Sequence, residues 1–305
     1  MIHVKLTAEI SGHHNPIYTV ANSQKLHIFF TAGNDKGVVE WSLKTHAFVK
    51  VMMPVESSVY ALHCPESVPL MAVGERSGKV SLFHFIEQKV VSELKWHQQA
   101  IFDIQSLKTK NELILASEDG TISVWNLENY QKLYQFQVSQ AMVRCMAISP
   151  DEQYLALGCK DHQIYIYRTA DFSLVQTLSS HTLPITALRF SPDGKNFLSG
   201  SRDAQLKLWN TADFSLKDSI PAHLFAIYDI QYHPEGTYFA TCSRDKSIKI
   251  WDSQEFRLLK TISLEKGYSA HKLSVNKLAW NRFNNELISV GDDKLILVWE
   301  ISEAD

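Results

Sequence analysis

An aromatic residue closes a similar eight-residue segment seven times along this chain: NDKGVVEW at Trp41, RSGKVSLF at Phe83, EDGTISVW at Trp125, KDHQIYIY at Tyr167, RDAQLKLW at Trp209, RDKSIKIW at Trp251 and DDKLILVW at Trp299. The first five intervals are 42 residues each and the last is 48. A second column stands 28 residues before each aromatic, at His13, Val55, His97, Ser139, His181, His223 and His271. Since His271 to Trp299 keeps that distance, the six extra residues fall before it, near Glu265 to Ala270. A fixed period of this length marks an architecture of repeated units, none of which can bury its apolar face alone.

Four residues after the second column comes a β-branched aliphatic in every repeat: Ile17, Val59, Ile101, Val143, Ile185, Ile227 and Val275. Such a column is a strand packed into a core. Short runs of alternating apolar and polar residues are separated by turns such as SPDE at 149–152, SPDG at 191–194 and HPEG at 233–236, with Pro at the favoured second turn position. No long stretch carries a helical period. Four strands per repeat predict an all-β, seven-bladed β-propeller of 28 strands in four-stranded antiparallel blades, read as one domain over residues 1–305.

The repeat resembles that of the WD40 (WD-repeat) propeller family over nearly the whole chain. Ser11-Gly12-His13 keeps the family's Gly-His start, a turn Asp recurs, and Trp251-Asp252 keeps its closing Trp-Asp. Only the first repeat retains Gly before the His, and only one closing Trp is followed by Asp. The resemblance implies that the N-terminal strand, Val4 to Ile10, completes the last blade. It precedes His13 as Leu216 to Pro221 precede His223, and its pairing would close the ring.

Four columns coincide in four repeats: His13, Thr31, Asp35 and Trp41; His181, Ser199, Asp203 and Trp209; His223, Thr241, Asp245 and Trp251; and His271, Ser289, Asp293 and Trp299. Histidine, hydroxyl and carboxylate together suggest a hydrolytic triad. A catalytic site is normally unique in a chain, however, so a set repeated four times reads as structural and no catalytic residue is assigned. The resemblance implies structural tetrads, in which the turn Asp holds the loop His and the hydroxyl links that His to the indole. Repeat three keeps His97, Asp119 and Trp125 but has Leu115 at the hydroxyl position. Repeats two (Val55, Val73, Ser77, Phe83) and four (Ser139, Leu157, Asp161, Tyr167) are expected to have largely replaced the network by apolar packing.

The resemblance further implies that His loop and Asp turn share one face around a central channel, the top face, and that this face binds peptides. The third and fifth residues after the His column and the residue before the turn Asp would point there. The fifth position reads Tyr18, Tyr60, Phe102, Arg144, Thr186, Tyr228 and Asn276; the position before the turn reads Asn34, Arg76, Glu118, Lys160, Arg202, Arg244 and Asp292. Aromatic rings at a channel mouth can carry binding energy, and the cations form a placed basic rim on a chain of formal charge −3. Tyr18, Tyr60, Phe102, Arg144, Tyr228, Arg76, Lys160, Arg202 and Arg244 are therefore the candidate partner-binding residues. The expected function is a protein-protein interaction scaffold or adaptor, and the expected partner is another protein offering an acidic or phosphorylated peptide segment. Nucleic-acid or chromatin association through the same rim is the second reading, disfavoured by a pI near 6.5. An enzyme on a propeller frame is the third.

Cys64, Cys145, Cys159 and Cys242 form no CxxC pair and read as reduced thiols in apolar strands. Neither a basic, apolar leader nor a run approaching the ~18 apolar residues of a membrane span is seen, so the expected setting is cytoplasmic, with no membrane partner. The eight histidines outside the repeat column show no HxH or HExxH spacing, and no Gly-rich phosphate loop occurs; neither metal nor cofactor is expected.

Overall fold

In the computed structural model, which describes residues 2–303, 28 strands form seven four-stranded antiparallel sheets, and the single helical element among the described residues is one 3-10 turn at Leu264–Lys266. The sheets are the blades of a propeller. Their innermost strands, such as Ile17–Asn22 in blade one and Ile185–Phe190 in blade five, lie against those of the neighbouring blades around a central channel.

Burial peaks in the second strand of each blade and falls outwards from there, and the strand sequences follow it. Ile28–Gly33 (IFFTAG) and Leu70–Glu75 (LMAVGE), second strands of blades one and two, are buried at every position. The outermost strands Ala47–Pro54 and Leu216–Pro221 are mostly exposed. Seven apolar clusters each bridge two neighbouring blades. At about 1.5–3 kcal/mol for each fully buried large aliphatic or aromatic side chain, this face packing joins the blades, while ladder hydrogen bonds hold the strands within each one.

Closure is made by the two ends of the chain. Strand Ile2–Ile10 pairs antiparallel with Ile296–Glu303, matching Val4 with Ile301 and Ile10 with Ile296 across a bulge between Leu6 and Ala8. Blade seven therefore has its fourth strand, as the resemblance implied. Ile10, Ile296 and Val298 of that blade then pack on Ile17, Phe29 and Trp41 of blade one. The six extra residues before His271 hold the 3-10 turn, which Gly267 ends in the left-handed region at φ 84°. Tyr268 follows it and packs edge-on against Trp299.

Candidate functional site

The repeated polar residues meet in pairs of turns. In blade five Trp209 Nε1 donates to Ser199 Oγ at 2.8 Å, Ser199 Oγ is 2.8 Å from His181 Nε2, and His181 Nδ1 is 2.9 Å from Asp203 Oδ2. An indole only donates and a carboxylate only accepts, so each proton has one place: the hydroxyl donates to Nε2, and Nδ1–H donates to Asp203. Blades one, six and seven repeat the relay, with Thr31, Thr241 and Ser289 as the hydroxyls. Each carboxylate also accepts the backbone N–H that follows its histidine, at His14, Thr182, Leu224 and Lys272. In blade one Gly12, at φ 150°, lets the loop pass over Trp41; a Cβ there would lie 3.0 Å from the indole.

Burial holds His13, His181 and His223 below the usual imidazole range, against the pull of the neighbouring carboxylates. Burial alone would raise Asp203, but the hydrogen bonds from His181 and the Thr182 N–H outweigh it and bring the carboxyl down to about 2. A neutral histidine therefore faces an ionised aspartate. The Ser199 hydroxyl is fully buried and already engaged on both sides, so it is not available to attack a substrate.

Three blades differ from the expectation. Blade three has a complete relay: His97 Nε2 lies 2.8 Å from Ser123 Oγ, which accepts from Trp125 Nε1 at 2.9 Å. Ser123 stands directly across the strand pair from Leu115, so hydroxyl and aliphatic group have exchanged strands. In blade two the strand positions are apolar, with Val55, Val73 and Phe83 buried. Its loops, however, are held by fully buried Glu75, which accepts from the Glu56 and Ser57 N–H groups and the Ser57 hydroxyl and pairs with Lys79 at 3.4 Å. In blade four Asp161 accepts hydrogen bonds from Ser139 and from the Tyr165 hydroxyl, the latter at 2.9 Å. Apolar packing thus replaced the strand part of the network, while polar contacts persist in the turns, where unpaired backbone groups demand partners.

The channel mouth is built by a feature shared by all seven blades. The pairing of inner and second strands slips by one residue at Tyr18, Tyr60, Phe102, Arg144, Thr186, Tyr228 and Asn276. A β-bulge re-aims the side chain of its extra residue, and these seven line a common cavity of about 400 Å³ together with Asp103, Lys277 and Asp292. Tyr18, Tyr60 and Phe102 form a run of tilted rings, with centroids 5.3 and 5.4 Å apart. The Arg144 guanidinium lies 4.3 Å over the Phe102 ring and has no hydrogen bond or ion pair among the described residues. Burial works against its charge and lowers its pKa from the ordinary guanidinium value. The other two polar members are engaged: Asn276 donates to Ile17 O and Asp292 Oδ1, and Thr186 to Ile227 O.

Of the nine candidate binding residues, five meet at this mouth: Tyr18, Tyr60, Phe102, Arg144 and Tyr228. Arg76, Lys160, Arg202 and Arg244 sit outside the cavity as exposed turn residues. Arg202 is close enough to Arg144 to lower its pKa further, and Arg244 lies 5.9 Å over the Phe225 ring. The second residue after the His column escaped the sequence reading. It is exposed and bulky at Leu183, Phe225 and Leu273; its signal was large apolar residues in turns that normally hold polar ones.

Burial pushes the Cys64 thiol up to about 12 and raises the other three cysteines well above the ordinary thiol value, so all four stay protonated near neutral pH. Among the described residues no three His, Cys, Asp or Glu side chains converge as metal ligands.

The family model "WD domain, G-beta repeat" matches residues 4–42, 172–210, 214–252 and 262–300, together about half of the chain. A second, "Anaphase-promoting complex subunit 4 WD40 domain", matches residues 105–184. WD repeat-containing protein 90 of Xenopus tropicalis is 20% identical over 55% of this chain and 10% of its own length. For U3 small nucleolar RNA-associated protein 12 of Saccharomyces cerevisiae the values are 23%, 58% and 20%. Guanine nucleotide-binding protein subunit beta-like protein 1 of Mus musculus is 26% identical over 37% of this chain and 36% of its own length. The chain thus spans about a tenth to about a third of these relatives.

Proposed function

This chain belongs to the WD40-repeat family, and on that premise we propose that it is a non-catalytic adaptor whose top face holds an acidic or phosphorylated segment of another protein. One observation carries the reading: the Arg144 guanidinium, half-buried in an aromatic mouth, has no carboxylate of its own. A desolvated cation without a counter-charge is costly. An incoming carboxylate or phosphate would supply that charge and accept the planar fork of N–H donors. Tyr60 and Tyr228 flank the site with hydroxyl donors, and Arg202 and Arg244 extend the positive field over the rim. Tyr18, Arg76 and Lys160 complete the proposed surface on the remaining side.

Titration calorimetry with a Glu-rich peptide and its phosphoserine counterpart tests the reading. Arg144→Gln and the pair Arg202→Glu with Arg244→Glu should each weaken binding at least tenfold, or about 1.4 kcal/mol. Tyr60→Ala and Tyr228→Ala should each cost about 1–3 kcal/mol. Lys217→Glu with Lys260→Glu, on the outermost strands, should leave binding intact. Normal binding by the top-face variants, with loss in the outer-strand pair, would place the interaction elsewhere. Preferential binding of an oligonucleotide with a steep salt dependence would favour nucleic acid instead.

A further inference from the structure

The top face is not uniform around the ring. At the second residue after the His column, blades one to four carry Asn15, Ser57, Gln99 and Ala141, whereas blades five to seven carry Leu183, Phe225 and Leu273. These three are 44%, 56% and 47% exposed, and Leu224 beside Phe225 is 82% exposed. Single exposed apolar residues are ordinary. A row at one loop position in three consecutive blades is an organised feature.

The tetrads hold this row outward. Asp203, Asp245 and Asp293 accept the N–H of Thr182, Leu224 and Lys272, just before or within it. Ser201 and Ser243 donate their hydroxyls to the carbonyls of Leu183 and Phe225. With the backbone fixed on both sides of Leu183 and Phe225, and on the preceding side of Leu273, the loop cannot turn these side chains inward without breaking a buried network. The site is thereby preorganised, which lowers the entropy a partner must remove.

The exposed charges around the row have one dominant sign. Arg202, Arg244, Lys246, Lys272 and Lys294 are exposed in these loops and turns, against exposed Glu265 and half-buried Asp292. The ionised turn aspartates Asp203, Asp245 and Asp293 are turned inward, with side chains only 6–7% exposed, onto their histidines and the loop N–H groups. We propose that blades five to seven form a docking ridge for an acidic peptide segment carrying bulky apolar side chains, which runs from the Arg144 mouth across Leu183, Phe225 and Leu273. The ridge rests on the reading of the top face as the binding surface and adds to it the apolar half of the recognition code. A flat anionic bilayer would match row and cations alike, but it could not reach Arg144, which lines the recessed mouth.

Panning a displayed library of random peptides on the full chain tests the ridge. Enriched peptides should combine acidic with large apolar residues. Measured by fluorescence anisotropy, Leu224→Ser with Phe225→Ser should weaken them roughly tenfold or more. The same change should leave an all-acidic control peptide bound as to the unmodified chain, and the thermal melt unmoved. Arg202→Glu with Arg244→Glu should weaken both peptides. If enriched peptides lack apolar residues, or bind the Leu224/Phe225 variant normally while still needing the arginines, the ridge is wrong and the acidic-segment reading stands. Should the arginine changes affect neither peptide, both fall. Tight, Phe225-dependent binding of phosphatidylserine vesicles that no enriched peptide displaces would assign the ridge to a membrane and overturn the proposal.

Discussion

Blades four and five stand side by side on the same strand frame and anchor their top loops in different ways. Blade five uses the full relay from Trp209 through Ser199 and His181 to Asp203, and the carboxylate also fixes the Thr182 N–H. Blade four has Tyr167 and Leu157 in the strands, with Asp161 tied to Ser139 and Tyr165. Both blades form four strands with the same bulge at the channel. The relay is thus dispensable for building a blade. What differs is the loop: blade five presents Leu183 on a braced backbone, and blade four presents small Ala141, whose N–H is held by the neighbouring Ser139 hydroxyl.

The sharpest way to break this contrast is to remove the two acids. Asp203→Ala strands a buried imidazole N–H and should cost about 2–4 kcal/mol in chemical denaturation. Ser123→Ala should cost about 1–3 kcal/mol, because it interrupts the relocated relay of blade three between His97 and Trp125. Adding Leu115→Ser on the facing strand should recover part of that loss by restoring the hydroxyl at the position used in the other relays. Asp161→Ala frees the hydroxyls of half-buried Ser139 and Tyr165, which water can reach, so about 1 kcal/mol is expected. Equal losses for Asp203→Ala and Asp161→Ala would erase the distinction between the blades.

Acid should distinguish the blades more gently. His181 titrates below its ordinary 6.5 in the folded chain, so the unfolded state takes up its proton first and stability falls as pH drops below that value. Asp203, held at about 2 against an ordinary 3.8, contributes stability that is full above 3.8 and lost as pH falls towards 2. Replacing Asp203 with Ala should flatten the lower limb of a stability-pH curve. Asp161→Ala should leave the His181 limb below 6.5 unchanged. A curve of unaltered shape for Asp203→Ala would contradict the relay's assigned proton positions.

The fold was legible because the repeat spacing exposes it: columns at fixed distance, such as Ile17 with Trp41, constrain strand, turn and register together. The tetrads were legible where all four residues keep their columns. Blade three was not, since Ser123 replaces Leu115 only across a strand pair, a neighbourhood that linear spacing does not display. Glu75 was missed for a similar reason; it stands in the column that holds Ser117, Ser201 and Ser243 elsewhere, and its partners Ser57 and Lys79 lie in the preceding loop and at the start of the following strand. The aim of Arg144 and the aromatic rings followed the expected positions, but the bulge that produces the aim is a backbone property. Leu183, Phe225 and Leu273 were overlooked because apolar residues in a sequence read as core, and only the braced loop shows why they remain outside.

The most direct test of whether the relay serves to brace the top loop is native-state hydrogen exchange on Asp245→Ala. The Leu224 amide, bonded to Asp245 Oδ2 at 3.0 Å, should lose its protection. Amides of strands Tyr238–Ser243 and Ile248–Asp252 should exchange no faster than the global loss of stability requires. Undiminished protection at Leu224, or uniform loss across blade six beyond the global change, would show that the relay holds the blade and not the loop.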